Sequence, residues 1–561
     1  MFNAKEYVRK AILNVVGENN SIIIDKTPNR EMGDIAIPCF NLKIDGINNP
    51  AEKANYIKEK IQIDSNYISK IETVGPYLNF TINKEFLKDE VIKNILEEKE
   101  NYGSSNAGKG KKMLIEHTSI NPNASPHIGR SRNSIIGNFI VNLYKFEGYD
   151  VDTHYFINDI GKQIAMLLVG IEDANNIDSV TFEDMLSLYV EINEKSKEDS
   201  SIEERVFKYL NELENGNEII RDKFKRITDI CVEGQKTIFS KMNITWDRFT
   251  HESDFVFEKS TNEILDKLKS LNKLKEDENG RYYVDLEGYD IPTKSPVLVL
   301  TREDKTSLYP LRDIAYTIYK ISINPDNNFI VLGEDQDVYM KQISAVLDIL
   351  GYKYPKLITY SFVLLNGEKM ATREGKVVLL EDFLTITEEK ILEGFKERGQ
   401  NIDLKKVASI ASSCIKYSIL NVNRRKNVNF NLAEATNFQG NSAIYLLYNY
   451  ARISSILEKA NKVEFNDFEL HFEEKIEYEL ISSLYEFPDV IKTAVDTKES
   501  IVIANFLYDL TQKFSNYYEN VSILKEENDI KRYSRIYLLQ GIQIVLKNGL
   551  NVLGIECFNT L

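Results

Sequence analysis

Ile115-Glu116-His117-Thr118-Ser119-Ile120-Asn121-Pro122-Asn123-Ala124-Ser125-Pro126-His127-Ile128-Gly129-Arg130 begins as a strand, breaks at a turn rich in Pro and Asn, and resumes as a helix. Ile135, Ile136, Phe139, Ile140 and Leu143 recur at helical spacing and predict a helix opening near His127 with that face buried. Backbone N–H groups at such a helix start favour an anion, Gly129 lets a ligand approach the main chain, and His127 and Arg130 add donors. Phosphate is the natural occupant. Taken alone, Pro-His-x-Gly also suits a bland turn with a capping histidine.

Outward from this stretch, short apolar runs at 113–115, 329–332 and 361–365 alternate with longer segments of helical period up to about residue 385. That alternation predicts a parallel sheet covered by helices. A solvated helical insertion is expected at about 165–290, where residues 190–225 are rich in Glu, Lys and Asn but keep Val206, Tyr209, Leu210 and Leu213 at helical spacing. Upstream, β-rich pieces at 21–24 and 77–82 among helical patterns predict an α+β module over 1–105. The breaker-rich stretch 101–112 marks its end. Beyond 385 amphipathic helices run on, so 106–385 reads as an α/β domain and 386–561 as an all-α bundle.

With 561 residues the chain exceeds one hydrophobic core, and about 150 residues per domain gives three or four units. Hydrophobic residues at 43% and charged residues at 28% exclude a disordered or fibrous chain. The net charge of -16 means that any nucleic-acid contact needs a locally basic face. No apolar run is long enough to span a bilayer, so a protein without membrane attachment, in the cytoplasm, is expected. Cys39, Cys231, Cys414 and Cys557 lie far apart, which disfavours disulfides and a zinc site and leaves them as buried small hydrophobes.

A second chemical element is Gly367-Glu368-Lys369-Met370-Ala371-Thr372-Arg373-Glu374-Gly375-Lys376. Three cations, Lys369, Arg373 and Lys376, on a glycine-bearing loop suit one that meets the negative charge of a departing pyrophosphate, although a solvated hairpin turn fits the same residues.

Taken in order, four blocks resemble the arginyl-tRNA synthetases, a class I aminoacyl-tRNA synthetase family. They are Glu-x-x-Ser-x-Asn-Pro with His-Ile-Gly (116–129), Ser-Leu-Tyr-x-x-Arg-Asp-Ile-Ala (307–315), Lys-Met-x-Thr-Arg-x-Gly (369–375) and Gly-Asn-Ser-Ala-x-Tyr-x-x-Tyr-x-Tyr-Ala-Arg (440–452). Met32-Gly33-Asp34 and Gly75-Pro76-Tyr77-Leu78-Asn79-Phe80 are similar to that family's N-terminal tRNA-binding module. Residues 506–519 and 546–556 are similar to its anticodon-binding bundle.

The resemblance implies a Rossmann-type catalytic domain that ligates L-arginine to tRNA(Arg) with ATP and substrate-bound Mg²⁺, in a monomer without a resident metal. His127, Gly129, Arg130, Lys369 and Met370 would hold ATP, and Arg373 would join the catalytic set. Asn121 would hold the amino-acid backbone, Tyr309 would pack on the aliphatic stem, and Ser119 and Gln336 would complete the wall. A planar guanidinium is best read by carboxylates, and Glu116 at a strand end and Asp313 one turn after Tyr309 should face one cavity. Asn79, Tyr508, Phe514, Tyr517 and Tyr518 would touch tRNA, the last four by stacking, with core packing as the alternative for each ring.

Five positions depart from the family pattern: Ile444 and Leu447 stand for Pro and Gln, these two away from the chemistry, Ala371 for a common serine, Arg130 for the second signature histidine and Thr372 for a second lysine. Arg373, Lys376 and the upstream Lys109, Lys111 and Lys112 are the candidates to supply that charge. Arg130 and Thr372 leave open a silent tRNA-binding regulatory protein, and intact Glu116, Asn121, Tyr309 and Asp313 are equally compatible with a synthetase paralogue charging tRNA outside translation.

Overall fold

A computed structural model describes the chain except residues 1, 29, 175–178, 325–326, 366–367, 370–377 and 461–468. At its centre lies a five-stranded sheet in the spatial order Lys356–Tyr360, Asn328–Gly333, Lys112–Glu116, Asp150–Ile157, Arg248–His251. Every pair is parallel. Met113, Leu114 and Ile115 are buried on both faces, as a central parallel strand requires. The chain winds first to one side of Lys112–Glu116 and later to the other, so a crevice opens at the carboxyl ends of that strand and of Asn328–Gly333.

Helix Ile128–Phe146 follows the first strand and buries all five predicted positions, Ile135, Ile136, Phe139, Ile140 and Leu143. It packs so closely on the strand that a Cβ at Gly137 would stand 2.3 Å from the His117 ring.

Helices Lys162–Asp173, Asp184–Glu198, Ser200–Glu214 and Glu218–Ser240 form a unit with a core of their own, including Val206, Leu210 and Leu213. The stretch 165–290 is not helical throughout, however. Arg248–His251 leaves it to become the edge strand of the main sheet, and Leu274–Glu276 and Tyr282–Asp285 start a small antiparallel sheet completed by Val297–Val299. Two further expected strands differ. Residues 21–24 make no strand, because the neighbouring pairing is a single bridge from Asp25 to Ala36 and the Ile22 carbonyl is taken by Arg9. The run 361–365 contributes Val363–Leu365 to a separate sheet with Glu368–Lys369 and Val428–Phe430, while Lys356–Tyr360 joins the main one.

The N-terminal module holds an antiparallel sheet in the order Ile35–Pro38, Tyr77–Ile82, Ile68–Val74, with helices Ala4–Val16 and Pro50–Lys60. It packs on the C-terminal helices. The Ala4 N–H donates to Tyr485 Oη (2.8 Å), Lys5 pairs with Asp489 (2.6 Å), and Asn548 donates to the Lys99 carbonyl (2.8 Å).

Arg132, fully buried on helix Ile128–Phe146, joins the α/β domain to the helical part. Its guanidinium donates to the carbonyls of Ser361 (2.6 Å), Phe362 (3.0 Å), Arg424 (3.2 Å) and Asn423 (3.4 Å), and burial lowers its affinity for the proton to a pKa of about 10. Replacing it strands those acceptors. Arg132→Met should cost at least about 3 kcal/mol, at roughly 1.5 to 3 kcal/mol for each charged hydrogen bond, read by urea denaturation. A midpoint equal to the wild type would show that water replaces the guanidinium without loss.

Candidate active site

The loop that leaves strand Lys112–Glu116 is held in an uncommon backbone conformation, with Thr118 at φ 76° and Ser119 at φ 43°. Hydrogen bonds fix it. The Thr118 N–H donates to Asn133 Oδ1 (2.6 Å), the Phe156 N–H donates to Ser119 Oγ (3.2 Å), and Ser119 Oγ donates to Glu116 Oε1 (3.3 Å). Downstream, Tyr155 Oη donates to the Ile120 carbonyl (3.1 Å), and Gln235 donates to the carbonyls of Asn121 (3.2 Å) and Ala124 (3.0 Å). Helix Glu218–Ser240 therefore sets the position of Asn121, whose own side chain is left at a partly exposed site.

His127 caps helix Ile128–Phe146 through its extended backbone, is buried, and has an Nδ1 without a partner among the described residues. Burial first, and the Arg130 charge second, push its pKa down to about 4, so it works as a neutral imidazole at physiological pH. Gly129 is partly exposed and Arg130 exposed, both in the first helical turn. The segment after residue 377 is stitched to this helix start: the Ile128 N–H donates to the Val378 carbonyl (3.2 Å) and the Leu380 N–H to the Pro126 carbonyl (2.9 Å). Met370, Thr372, Arg373 and Lys376 lie outside the described residues, and of Lys369 the backbone alone is described, in the strand Glu368–Lys369.

Across the crevice, helix Tyr309–Ile323 opens with Pro310 in its first turn and carries the second acid. Asp313 is partly buried and accepts a hydrogen bond from Tyr339 Oη. Burial, and after it the neighbouring Glu252 charge, push its carboxyl up to about 7. Tyr309 is 53% exposed, with its ring 5.2 Å from that of Tyr339. Gln336, partly exposed, donates to Asp335 (2.9 Å).

Glu116 is placed at this wall as expected but is not a free acid, since it is buried and paired with Lys320. Glu252, fully buried, accepts from Arg312 Nε (2.5 Å), and its Oε2 has no partner among the described residues. Asp313 is different. Among the described residues no cation lies within ion-pair distance of it.

Lys320, Glu252, Tyr339, Gln235 and Asn133 were missed from sequence. Gln235 alone left a signal there, as a polar residue on the apolar face of Phe224, Ile227, Cys231 and Ile238.

On the flanking modules, Phe514 and Tyr517 are fully buried, and Tyr517 Oη donates to Glu477 (3.2 Å). Both are core residues, which corrects the expectation that they stack on bases. Tyr518 is 43% exposed with Arg452 over its ring at 5.0 Å, and Tyr508 is partly exposed. Asn79 is buried in strand Tyr77–Ile82, so its side chain offers little surface to a partner. The rings of Tyr77 and Phe40 beside it are the exposed ones.

Comparison with known proteins agrees with this geometry. Residues 91–432 match the catalytic domain of the class I tRNA synthetases of the arginine type, 446–561 the DALR anticodon-binding domain, and 3–82 the arginyl-tRNA synthetase N-terminal domain. An arginine–tRNA ligase of Archaeoglobus fulgidus is 35% identical over 92% of this chain and 93% of its own length. The chain belongs to the arginyl-tRNA synthetase family. A second such ligase, from Methanocaldococcus jannaschii, is 33% identical over 99% of this chain and 97% of its own. The solved arginyl-tRNA synthetase of Thermus thermophilus shares the fold with a TM-score of 0.82 at 22% identity, each chain covered in full.

This arginyl-tRNA synthetase fold carries an unmatched carboxylate at a cost. A folded-state carboxyl raised above its unfolded value takes up protons on folding, so its penalty is absent below about pH 4 and complete above about pH 7. Asp313→Asn should therefore raise the melting temperature of the unliganded protein at pH 8 and leave it nearly unchanged at pH 4.5. Equal shifts at both values would remove Asp313 as the source.

Proposed function

We propose that the chain joins L-arginine to tRNA(Arg) through an arginyl-adenylate formed in this crevice. The observation that carries the reading is Asp313, a carboxylate without a cation among the described residues, facing the strand end that holds Glu116 and lying one turn from the exposed Tyr309. A guanidinium supplies the missing charge, fills both edges of a carboxylate, and offers Tyr309 an aliphatic stem to cover.

In this reading ATP lays its phosphates along the helix start at His127, Gly129 and Arg130. The arginine carboxylate, positioned by Asn121 and Ser119, attacks the α-phosphorus and pyrophosphate leaves. A terminal ribose hydroxyl of tRNA then attacks the adenylate carbonyl, releasing AMP and yielding the ester. No covalent enzyme nucleophile is needed, and positioning with charge stabilisation carries the rate. Lys369, Met370 and Arg373, by the family resemblance, receive the departing pyrophosphate. Mg²⁺ arrives on the triphosphate, held by phosphate oxygens and water. Arg130 keeps a donor where the family has histidine, which favours an active enzyme over a silent relative. We place this work in the cytoplasm and in a monomer.

Pyrophosphate exchange run with all twenty amino acids tests the reading. Arginine alone should support exchange, and only once tRNA is added, because the C-terminal bundle packs against helix Ile128–Phe146 of the catalytic domain and the signature is depleted at Arg130 and Thr372. Asp313→Ala and Glu116→Ala should raise the arginine KM at least tenfold, in line with about 1.5 to 3 kcal/mol per charged hydrogen bond lost. An arginine dependence unchanged in both variants would move the amino-acid site elsewhere, and brisk exchange without tRNA would show a catalytic domain organised by itself.

For tRNA, Tyr518 and Tyr508 are the stacking candidates. Tyr518→Ala should weaken tRNA binding by about 1 to 3 kcal/mol at an unchanged melting temperature, whereas Tyr517→Ala should lower the melting temperature first. A Tyr518→Ala protein with wild-type tRNA affinity would exclude that ring.

A further inference from the structure

The helix Tyr309–Ile323 brings Asp313, Tyr316 and Lys320 to one face at spacings of three and four residues. Lys320 is 1% exposed, which is rare for a lysine and demands a partner. Its ammonium sits 4.4 Å from the centre of the Tyr316 ring and pairs with Glu116, 204 residues earlier in the chain. Tyr316 is itself stacked on Phe156 at 4.1 Å and 5°, so the lysine stem rests on a fixed surface. Nothing in the family resemblance stated above involves this residue.

The charges at this wall can be paired off. Glu116 is matched by Lys320 and Glu252 by Arg312, and Asp313 is the carboxylate left over among the described residues. We infer that Lys320 is a specificity-determining positioning residue of the amino-acid pocket: by neutralising Glu116 it leaves one net negative charge, so that the pocket accepts a side chain carrying one positive charge. The inference rests on the reading that this pocket takes the arginine side chain. Lys320 also occupies one edge of the Glu116 carboxylate, leaving Oε1, which already accepts from Ser119, as the edge toward the crevice.

Other groups around the pair are accounted for. On strand Asp150–Ile157, His154 lies 3.4 Å from Asp152 and burial lowers its proton affinity, so it adds no charge at neutral pH. The Tyr316 and Tyr354 hydroxyls are pushed up by burial and stay protonated. Without Lys320, Glu116 loses its ion-pair partner and the hydrogen bond that fixes its Oε2 edge, so two unmatched carboxyls stand where a singly charged side chain can match one.

The test is steady-state exchange on the full chain with tRNA at pH 8, above the value of about 7 to which burial raises Asp313. Lys320→Met should raise the arginine KM at least tenfold with the ATP KM within twofold of wild type. Lys320→Arg should recover most of the loss. The double variant Lys320→Met/Glu116→Gln removes both charges together. It should fold and keep a raised arginine KM, which serves if the single variant is unstable. A Lys320→Met arginine KM equal to wild type, an ATP KM raised to the same extent, or no recovery in Lys320→Arg overturns the role of Lys320. Absence of arginine-dependent exchange in the wild-type protein overturns the reading of the pocket itself, and the inference with it.

Discussion

Asn133 makes the contact on which the geometry of the crevice depends. A doubly wound sheet must keep its two halves paired while their carboxyl ends stay open to ligand. From one position on helix Ile128–Phe146, Asn133 accepts from the Thr118 N–H (2.6 Å) and donates to the Val331 carbonyl (2.9 Å), tying the loop after the first strand to the strand that returns beside it. The same loop carries Ser119 toward Glu116 and leads to Asn121. One buried amide thus sets the distance between the acid wall and the helix start, and its two hydrogen bonds hold Thr118 and Ser119 in backbone conformations that cost energy without such support.

The second organising feature is the unequal treatment of three acids. Glu116 and Glu252 are buried with cations, an arrangement that contributes little net stability because desolvation offsets the Coulomb attraction. Its use is geometric: each pair fixes where a charge can stand. Asp313, matched by a tyrosine hydroxyl instead, is held above its ordinary proton affinity and is the group whose energy improves when a cation enters. The wall is therefore destabilised at Asp313 and satisfied around it.

Legibility in the sequence follows from range. The strand, turn and helix of 113–146 could be read because their periodicity is local, and Tyr309 and Asp313 because one turn of helix separates them. Lys320 was not legible, since a lysine on an amphipathic helix reads as solvated until its partner 204 residues away is known. Arg132 escaped for the same reason, its acceptors lying 229 to 292 residues further on. The tyrosines of helix Ile501–Asn520 could have been separated: Leu507, Leu510, Phe514 and Tyr517 share the three- and four-residue spacing of a buried face, and Tyr518 falls outside it. Short strands were the least readable, as at 361–365, where an apolar run pairs with a segment more than sixty residues downstream and not with the main sheet.

Helix Ile128–Phe146 links the crevice physically to the C-terminal bundle. Its first turn carries Gly129 and Arg130 at the crevice, while its body packs against the C-terminal helices Leu404–Leu420, Lys475–Thr497 and Asp529–Val552. At that contact Gly554, at φ +71°, comes so close that a Cβ would stand 2.7 Å from Asn138 Oδ1, and its carbonyl accepts from the buried Lys416 (2.7 Å). The contact is close, and a helix is stiff along its axis, so displacement of the bundle moves the helix start directly. Arg132, the fifth residue of the same helix, grips the carbonyls of residues 361–362. A force applied at the bundle therefore reaches both the helix start and residues 361–362 through a single element, and no separate relay is required.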